Sequence, residues 1–95
     1  MLNQIVLVGR ITKDINFNDE KYTTINLAVQ RSFKNEDGVY ETDYISCILS
    51  GVIAKNTSEY CKKGDLVGVK GRLESQDNKI NVIVEKVTFL SCKKN

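Results

Sequence analysis

Alternation of apolar and polar residues constrains the fold of this chain more than any other feature. In segment 22–32, an apolar or β-branched set of residues alternates with a polar or small set: Thr23, Ile25, Leu27 and Val29 against Thr24, Asn26, Ala28 and Gln30. A period of two indicates a strand that buries one face, because successive side chains point to opposite sides of a sheet. Alternation or β-branched runs of strand length also occur in segments 5–11, 39–50, 65–75 and 79–91. The sequence therefore predicts five strands.

One helix is predicted in segment 51–64, between the third and fourth strands. Lys62 and Lys63 suit the carboxyl end of a helix, and Gly64 suits the residue that follows it. Five short strands with one helix at this place describe an all-β OB-fold, a partly open five-stranded Greek-key barrel. A plain five-stranded sheet is the alternative, but the glycines inside the first and fourth strands favour the corners of a barrel.

The length of 95 residues predicts one domain, residues 1–95. No apolar run approaches the length that spans a bilayer, and the N-terminal segment 1–10 lacks the basic region and cleavage site of a signal peptide. We therefore expect a cytoplasmic protein. A formal net charge of +2 permits a nucleic-acid partner if the charge is unevenly placed, but it does not require one.

The absence of histidine argues against most catalytic chemistry. No Ser–His or Cys–His couple is possible, and no side chain titrates near neutral pH without a large pKa shift. Cys47, Cys61 and Cys92 are widely spaced and odd in number, so we expect buried thiols rather than a disulfide framework or a zinc site. The motif of a phosphate-binding loop is absent. The sequence thus predicts no enzyme, no metal site and no cofactor.

The third predicted strand carries tyrosines on its polar face. Its odd positions hold Ile45, Cys47 and Leu49, and its even positions hold Tyr40, Thr42, Tyr44 and Ser46. If the odd positions pack the core, Tyr44 faces solvent, and OB-folds bind single strands by stacking bases on such rings beside a basic groove. Phe33 lies near the end of the second strand, between Arg31 and Lys34. The alternative for Tyr44 is packing against a second subunit or over the barrel rim.

Four segments carry a resemblance that spans nearly the whole chain. In chain order they are NQIVLVGRITKD, NLAVQRSFKN, ETDYISCILSGVIAKN and EYCKKGDLVGVKGRLES. With these segments in this order, the chain closely resembles the bacterial single-stranded DNA-binding protein (SSB) family. The resemblance implies sequence-independent binding and protection of single-stranded DNA in replication, recombination and repair.

The resemblance also implies roles for particular residues. Phe33 and Tyr44 fall where the family stacks bases on aromatic rings, and Ser50 falls where many members have a third ring. The nearest basic candidates for phosphate contacts are Arg31, Lys34, Lys55, Lys63, Lys70 and Arg72. For any one of them, the alternative is a solvated surface charge.

The chain departs from the family pattern at two further places. The hairpin at 76–79 is short where the family usually has a long basic loop. The C-terminus lacks the linker and acidic tail that recruit replication and repair proteins in the family, which puts such partners in doubt. We therefore expect either a truncated binding core or a naturally minimal member, such as a phage or mobile-element protein.

Self-association is implied by the same resemblance. The family assembles mostly as homotetramers through its first strand, and an unpaired apolar edge strand favours association, so we expect a tetramer or at least a dimer. The functional alternative is a tail-less OB module similar to the primosomal replication-restart proteins, which acts mainly through protein interactions and binds DNA weakly. An OB-fold that prefers RNA is a second alternative.

Overall fold

The structure, a computed structural model, describes residues 1–17 and 22–92. Its elements are β1 (Ile5–Ile11), β2 (Tyr22–Lys34), β3 (Tyr40–Ser50), α1 (Gly51–Tyr60), β4 (Leu66–Gln76) and β5 (Lys79–Phe89). This order of elements is the predicted one. The strands close into a barrel, so the alternative of a plain open sheet was wrong.

Two well-paired parts make up the barrel, and two narrow seams join them. The strand order is β1-β2-β3-β5-β4, with β4 pairing back to β1. One part is the β2–β3 ribbon, which pairs continuously from Tyr22 to Gln30 of β2, and the other is the three-stranded sheet of β1, β4 and β5. Among the described residues, each seam is two residue pairs wide: Arg10↔Ala28 and Ile11↔Leu27 between β1 and β2, and Cys47↔Val82 and Ile48↔Ile83 between β3 and β5.

Two glycines lie where neighbouring strands approach closely. A Cβ atom on Gly9 would lie 2.6 Å from the carbonyl oxygen of Ala28, where β1 meets β2. A Cβ atom on Gly71 would collide with the carbonyl oxygen of Ile83, at the irregularity where the register of β4 with β5 shifts. Such contacts require a residue without a side chain. Gly9 of the first strand and Gly71 of the fourth thus stand where the barrel prediction requires glycine.

The core fills the barrel with alternate residues of the strands. Its buried members on the strands are Ile11, Ile25, Leu27, Cys47, Leu49, Val67, Val69, Val82 and Val84. Helix α1 packs against β2, β3 and β5 and buries Ala54 and Thr57. Removing this apolar surface from water is the main term that stabilises the barrel.

Helix α1 ends at Tyr60 rather than at Gly64. Cys61 already has an extended backbone, with φ −123° and ψ 150°. The Gly64 N–H donates to the carbonyl oxygen of Ile11 at 2.7 Å, so the segment after the helix is tied to β1 instead of continuing the helix. The prediction of a lysine-rich helix end was therefore wrong. No helix in the described part of the chain is long and apolar enough to cross a membrane.

The β2–β3 and β4–β5 turns contain residues with positive φ. Asp77 and Asn78 form the corner of the β4–β5 hairpin with φ values of 52° and 66°. This left-handed conformation is typical of a tight two-residue turn, and Asn and Asp tolerate it better than most residues. Gly38 provides the positive φ, 76°, in the β2–β3 turn. The β4–β5 hairpin is therefore as short as the sequence predicted.

Candidate nucleic-acid interface

The outer face of the β2–β3 ribbon presents the even-numbered side chains of both strands. Leu27 and Cys47 point into the core, so their neighbours along each strand point outward. Tyr44 stands on this outer face, 73% exposed. Close by, the Ser46 hydroxyl donates to the side-chain oxygen of Asn26 at 2.9 Å. The predicted exposure of Tyr44 is confirmed.

A row of three residues crosses the outer face from β1 to β3. Arg10 pairs with Ala28, and Ala28 pairs with Tyr44, so the three side chains lie on the same side of adjacent strands. Ala28, with a small side chain, lies between Arg10 and Tyr44 in this row. An open groove of about 360 Å³ lies beside the row, and its lining includes Arg10, Ala28, Gln30 and Thr42. The outer face thus carries a cation and an exposed ring beside an open groove.

Arg10 was not among the predicted site residues. Its Nη1 atom donates to the carbonyl oxygen of Gly64 at 3.0 Å, which positions the guanidinium group without neutralising its charge. Its place in the strand could have identified it, because Arg10 occupies an even position of β1, as the exposed Val6 and Val8 do. Alternation along β1 therefore places a cation on the outer face.

Phe33 lies at the irregular end of the ribbon, where the pairing jumps from Gln30 to Lys34, and its ring is 67% exposed. Lys34 pairs with Tyr40 and holds its ammonium nitrogen 5.7 Å from the centre of that ring, a cation–π contact. Tyr40 shares the even positions of β3 with Tyr44, so this pair extends the outer face toward the β2–β3 turn. The structure thus brings exposed rings and a cation together here, and base contact by Phe33 stays a prediction.

Arg31 is held by two carboxylates of the neighbouring strand. Its guanidinium group makes two hydrogen bonds to Asp43, at 2.9 and 3.1 Å, and one to Glu41, at 2.6 Å. The hydrogen bond from Arg31 holds the pKa of the Asp43 carboxyl below its usual range, so this pair stays ionised at neutral pH. Glu41 and Asp43 occupy odd positions of β3, whose side chains point to the face opposite Tyr44. The structure therefore does not bring Arg31 into the Tyr44 row.

Three predicted lysines are distributed around the barrel. Lys55 is exposed on α1, and Lys63 is exposed in the link between α1 and β4. Lys70 is exposed on β4 and pairs with Val6 and Lys86, so it lies on the outside of the three-stranded sheet. None of these positions belongs to the outer face of the β2–β3 ribbon.

Arg72, the last of the predicted basic residues, lies between two carboxylates. Its guanidinium nitrogens are 3.0 Å from Glu74 and 3.6 Å from Glu85. These ion pairs are solvent-exposed and weak, but they compensate part of its charge. Of the six predicted basic residues, Lys34 is the one that the structure places beside an exposed ring of the outer face.

A further exposed ring lies at the opposite end of the ribbon. Tyr22 pairs with Ser50 and is 61% exposed. A polar groove of about 310 Å³ lies beside it, with Lys13 in its lining. The resemblance implied a missing ring at Ser50, and the residue paired with Ser50 supplies one at nearly the same place. Tyr22 was not predicted because local pattern does not reveal which residues face each other across two strands.

Known proteins provide an independent comparison. The profile described as the Single-strand binding protein family matches residues 2–90. The chain is 45% identical over 98 residues to "Single-stranded DNA-binding protein B" of Bacillus subtilis, covering 92% of this chain and 84% of that protein. It is 42% identical over 103 residues to the "Single-stranded DNA-binding protein" of Bacillus cereus, covering 95% of this chain and 61% of that protein. The chain thus spans less than two thirds of the latter protein's length.

Solved structures share the fold. A small single-stranded DNA-binding protein from Streptomyces coelicolor matches with a TM-score of 0.74 at 22% identity, covering 94% of this chain and 93% of that chain. A deletion mutant of the single-stranded DNA binding protein from Thermus aquaticus matches with a TM-score of 0.73 at 28% identity, covering 94% of this chain and 50% of that chain. The predicted five-stranded OB-fold barrel with one helix between β3 and β4 is confirmed.

Proposed function

Because the chain belongs to the single-strand binding protein family, we propose that it binds and protects single-stranded DNA, with little sequence preference, in replication, recombination and repair. One observation carries the proposal, the row of Arg10, Ala28 and Tyr44 across the outer face. In this row an exposed ring lies on the same side of the sheet as a guanidinium group that is bonded to a carbonyl, not to a carboxylate, and an open groove lined by Arg10 and Ala28 lies beside it. Relatives named as single-stranded DNA-binding proteins do not favour the replication-restart alternative.

Stacking supplies affinity in this proposal without reading sequence. Every base has an aromatic face, so Tyr44 accepts any of them, and a stacked base contributes about 1–3 kcal/mol by alanine substitution. Phe33 and Tyr22, at the two ends of the ribbon, provide further platforms. A strand that contacts all three rings runs along the outer face of β2 and β3. No bond is made or broken, so we propose a binding protein and not an enzyme.

Phosphate contacts supply the remaining affinity. Lys34 and Arg10 flank the exposed rings and neutralise the backbone there, with release of counterions. The other predicted basic residues contribute less in this proposal: Arg31, Lys55, Lys63, Lys70 and Arg72. The three lysines lie elsewhere on the barrel and suit a strand that continues past the ribbon, whereas the two arginines are paired with carboxylates.

The test is titration of the native protein with oligo-dT, with duplex DNA of equal length and with oligo-rU, each at several salt concentrations. We expect oligo-dT to bind more tightly than the duplex, and log affinity to fall linearly with log salt by about 0.7 for each phosphate contact on a single strand. Duplex binding as tight as oligo-dT would contradict the proposal. Tighter binding of oligo-rU than of oligo-dT would favour an RNA-binding protein.

We also propose that the chain self-associates as a tetramer, or at least as a dimer, through β1. Leu2, Val6 and Val8 expose apolar side chains along this strand and the segment before it. Contact with a second copy would remove that surface from water. We further propose that residues 1–95 form one binding domain and that the protein is cytoplasmic and associated with the nucleoid.

A further inference from the structure

The segments that follow α1 and β5 bring two thiols into contact. Cys61 caps the end of α1, and Cys92 follows β5. Both are free cysteines in this structure. Their Sγ atoms are 2.6 Å apart, about half an ångström more than the disulfide bond length of about 2.05 Å. They are 31 positions apart in the sequence, so the barrel fold, and not a local turn, creates the contact.

Neighbouring bonds fix the two sulfur atoms against each other. Cys61 is 6% exposed and belongs to the core, and the half-buried Cys92 packs against it. The Cys92 Sγ atom lies 3.7 Å from the carbonyl oxygen of Leu66. The preceding residue, Ser91, donates its N–H to the same carbonyl at 3.1 Å and accepts the Leu66 N–H at 3.0 Å. Cys92 is therefore held beside β4 with its sulfur facing Cys61.

A metal ion is the competing use of this cluster. Asp65 places a carboxylate oxygen within 4.8 Å of both sulfur atoms. Two thiolates on one tetrahedral zinc ion, with Zn–S bonds of about 2.3 Å, would be about 3.8 Å apart, well beyond the separation seen here. The Asp65 carboxylate also accepts the Lys62 N–H at 2.8 Å. The geometry therefore suits a sulfur–sulfur bond better than zinc.

We propose that Cys61 and Cys92 are a modification site. A low-molecular-weight disulfide, such as oxidised glutathione, oxidises the two thiols to an intramolecular disulfide bond between Cys61 and Cys92. The half-buried Cys92 reacts first: its thiolate attacks oxidised glutathione, and one reduced glutathione leaves. Cys61 then gives up its proton and attacks the Cys92 sulfur of the mixed disulfide, and the second glutathione leaves. The protein loses two hydrogen atoms, and one oxidised glutathione becomes two reduced molecules.

Burial explains this order of attack. It raises the pKa of the Cys61 thiol well above its ordinary value, so Cys61 is a poor initial nucleophile. Once Cys92 carries glutathione, the Cys61 sulfur is already in contact with its target. The product encloses β4 and β5 in a covalent loop, which restricts the unfolded chain and so stabilises the folded one.

The test is incubation of the folded protein with oxidised glutathione, followed by mass spectrometry without reduction. We expect a loss of the mass of two hydrogen atoms and a tryptic species that joins peptides 56–62 and 87–93. The melting temperature should be higher for the oxidised than for the reduced protein, and Cys92→Ser should abolish both effects. Cys47→Ala is the matched control and should retain both, because Cys47 lies elsewhere in the core.

Three results would overturn the proposal. One is stable addition of glutathione without the cross-linked peptides, and another is a covalent dimer through Cys92. The third is binding of one zinc ion that protects both thiols from alkylation and from oxidised glutathione. Peptide mapping of the parent protein, which carries no substitution, decides among these outcomes even if a cysteine variant does not fold.

Discussion

At the scale of the residue, substitution of Tyr44 tests whether its ring stacks on a DNA base or packs against protein. Its ring is exposed and lies outside the core, so Tyr44→Ala should leave the melting temperature unchanged. The same substitution should weaken binding of oligo-dT by about 1–3 kcal/mol, because one stacked base is lost. Tyr44→Phe is the control and should bind nearly as well as the parent protein, since the aromatic face is kept. A lower melting temperature with unchanged affinity would mean that the ring packs against protein.

Basic residues differ in how far their charge is available to DNA. Lys34 contacts the face of Tyr40, whereas Arg72 lies between Glu74 and Glu85. Lys34→Ala should therefore lower the slope of log affinity against log salt by about 0.7, the value for one phosphate contact on a single strand. Arg72→Ala should change the slope less, because carboxylates already compensate its charge. Titrations at four or more salt concentrations measure both slopes, and equal changes would contradict this ranking.

At the scale of the element, Gly71 maintains the close contact of β4 with β5. Gly71→Ala places a Cβ atom against the carbonyl oxygen of Ile83. We expect a cost of about 1–3 kcal/mol, which lowers the melting temperature of a chain of this size by at least about 4 °C. Gly68→Ala on the same strand is the matched control, because its Cβ atom would be 3.7 Å from the nearest atom, an ordinary contact. Equal melting temperatures of the two variants would contradict the prediction.

The strands were predictable because alternation is a local signal. Ile25, Leu27, Cys47 and Leu49 alternate in sequence and are buried in the structure, and Tyr44 is exposed as its position indicates. The end of α1 was not predictable, because the segment after Tyr60 is held against β1 by the hydrogen bond from the Gly64 N–H to the carbonyl oxygen of Ile11, which joins residues distant in sequence. Local propensity does not report such a tertiary contact.

The site was predictable in part for the same reason. Arg31, Glu41 and Asp43 all occupy odd positions, so alternation places Arg31 on the face opposite Tyr44. That the two carboxylates lie beside it depends on how β2 pairs with β3, which a single strand does not show. Tyr22 became a candidate once its pairing with Ser50 was known. In each case the missing information was the register between strands.

At the scale of the whole molecule, β1 is the proposed contact between copies of the chain. Val6→Asp places a charge on its exposed apolar surface and should shift the oligomer toward smaller species, because the charge would lose water on association. Val52→Asp is the matched control, since Val52 on α1 is exposed to a similar extent, 71% against 66%. Sedimentation at micromolar concentration measures the distribution. A monomeric parent protein, or dissociation by both variants, would contradict a contact through β1.

The two narrow seams of the barrel have a consequence for its motions. Parting them separates the β2–β3 ribbon from the three-stranded sheet without breaking the pairing inside either part. Amide hydrogens at the seams should therefore exchange with deuterated solvent sooner than those in the middle of the ribbon, because local opening there requires less free energy than unfolding. The row of Arg10, Ala28 and Tyr44 crosses the seam between β1 and β2. A DNA strand bound along this row contacts both the β2–β3 ribbon and the three-stranded sheet and so opposes their separation. Amide hydrogen exchange at this seam should therefore slow when oligo-dT is added.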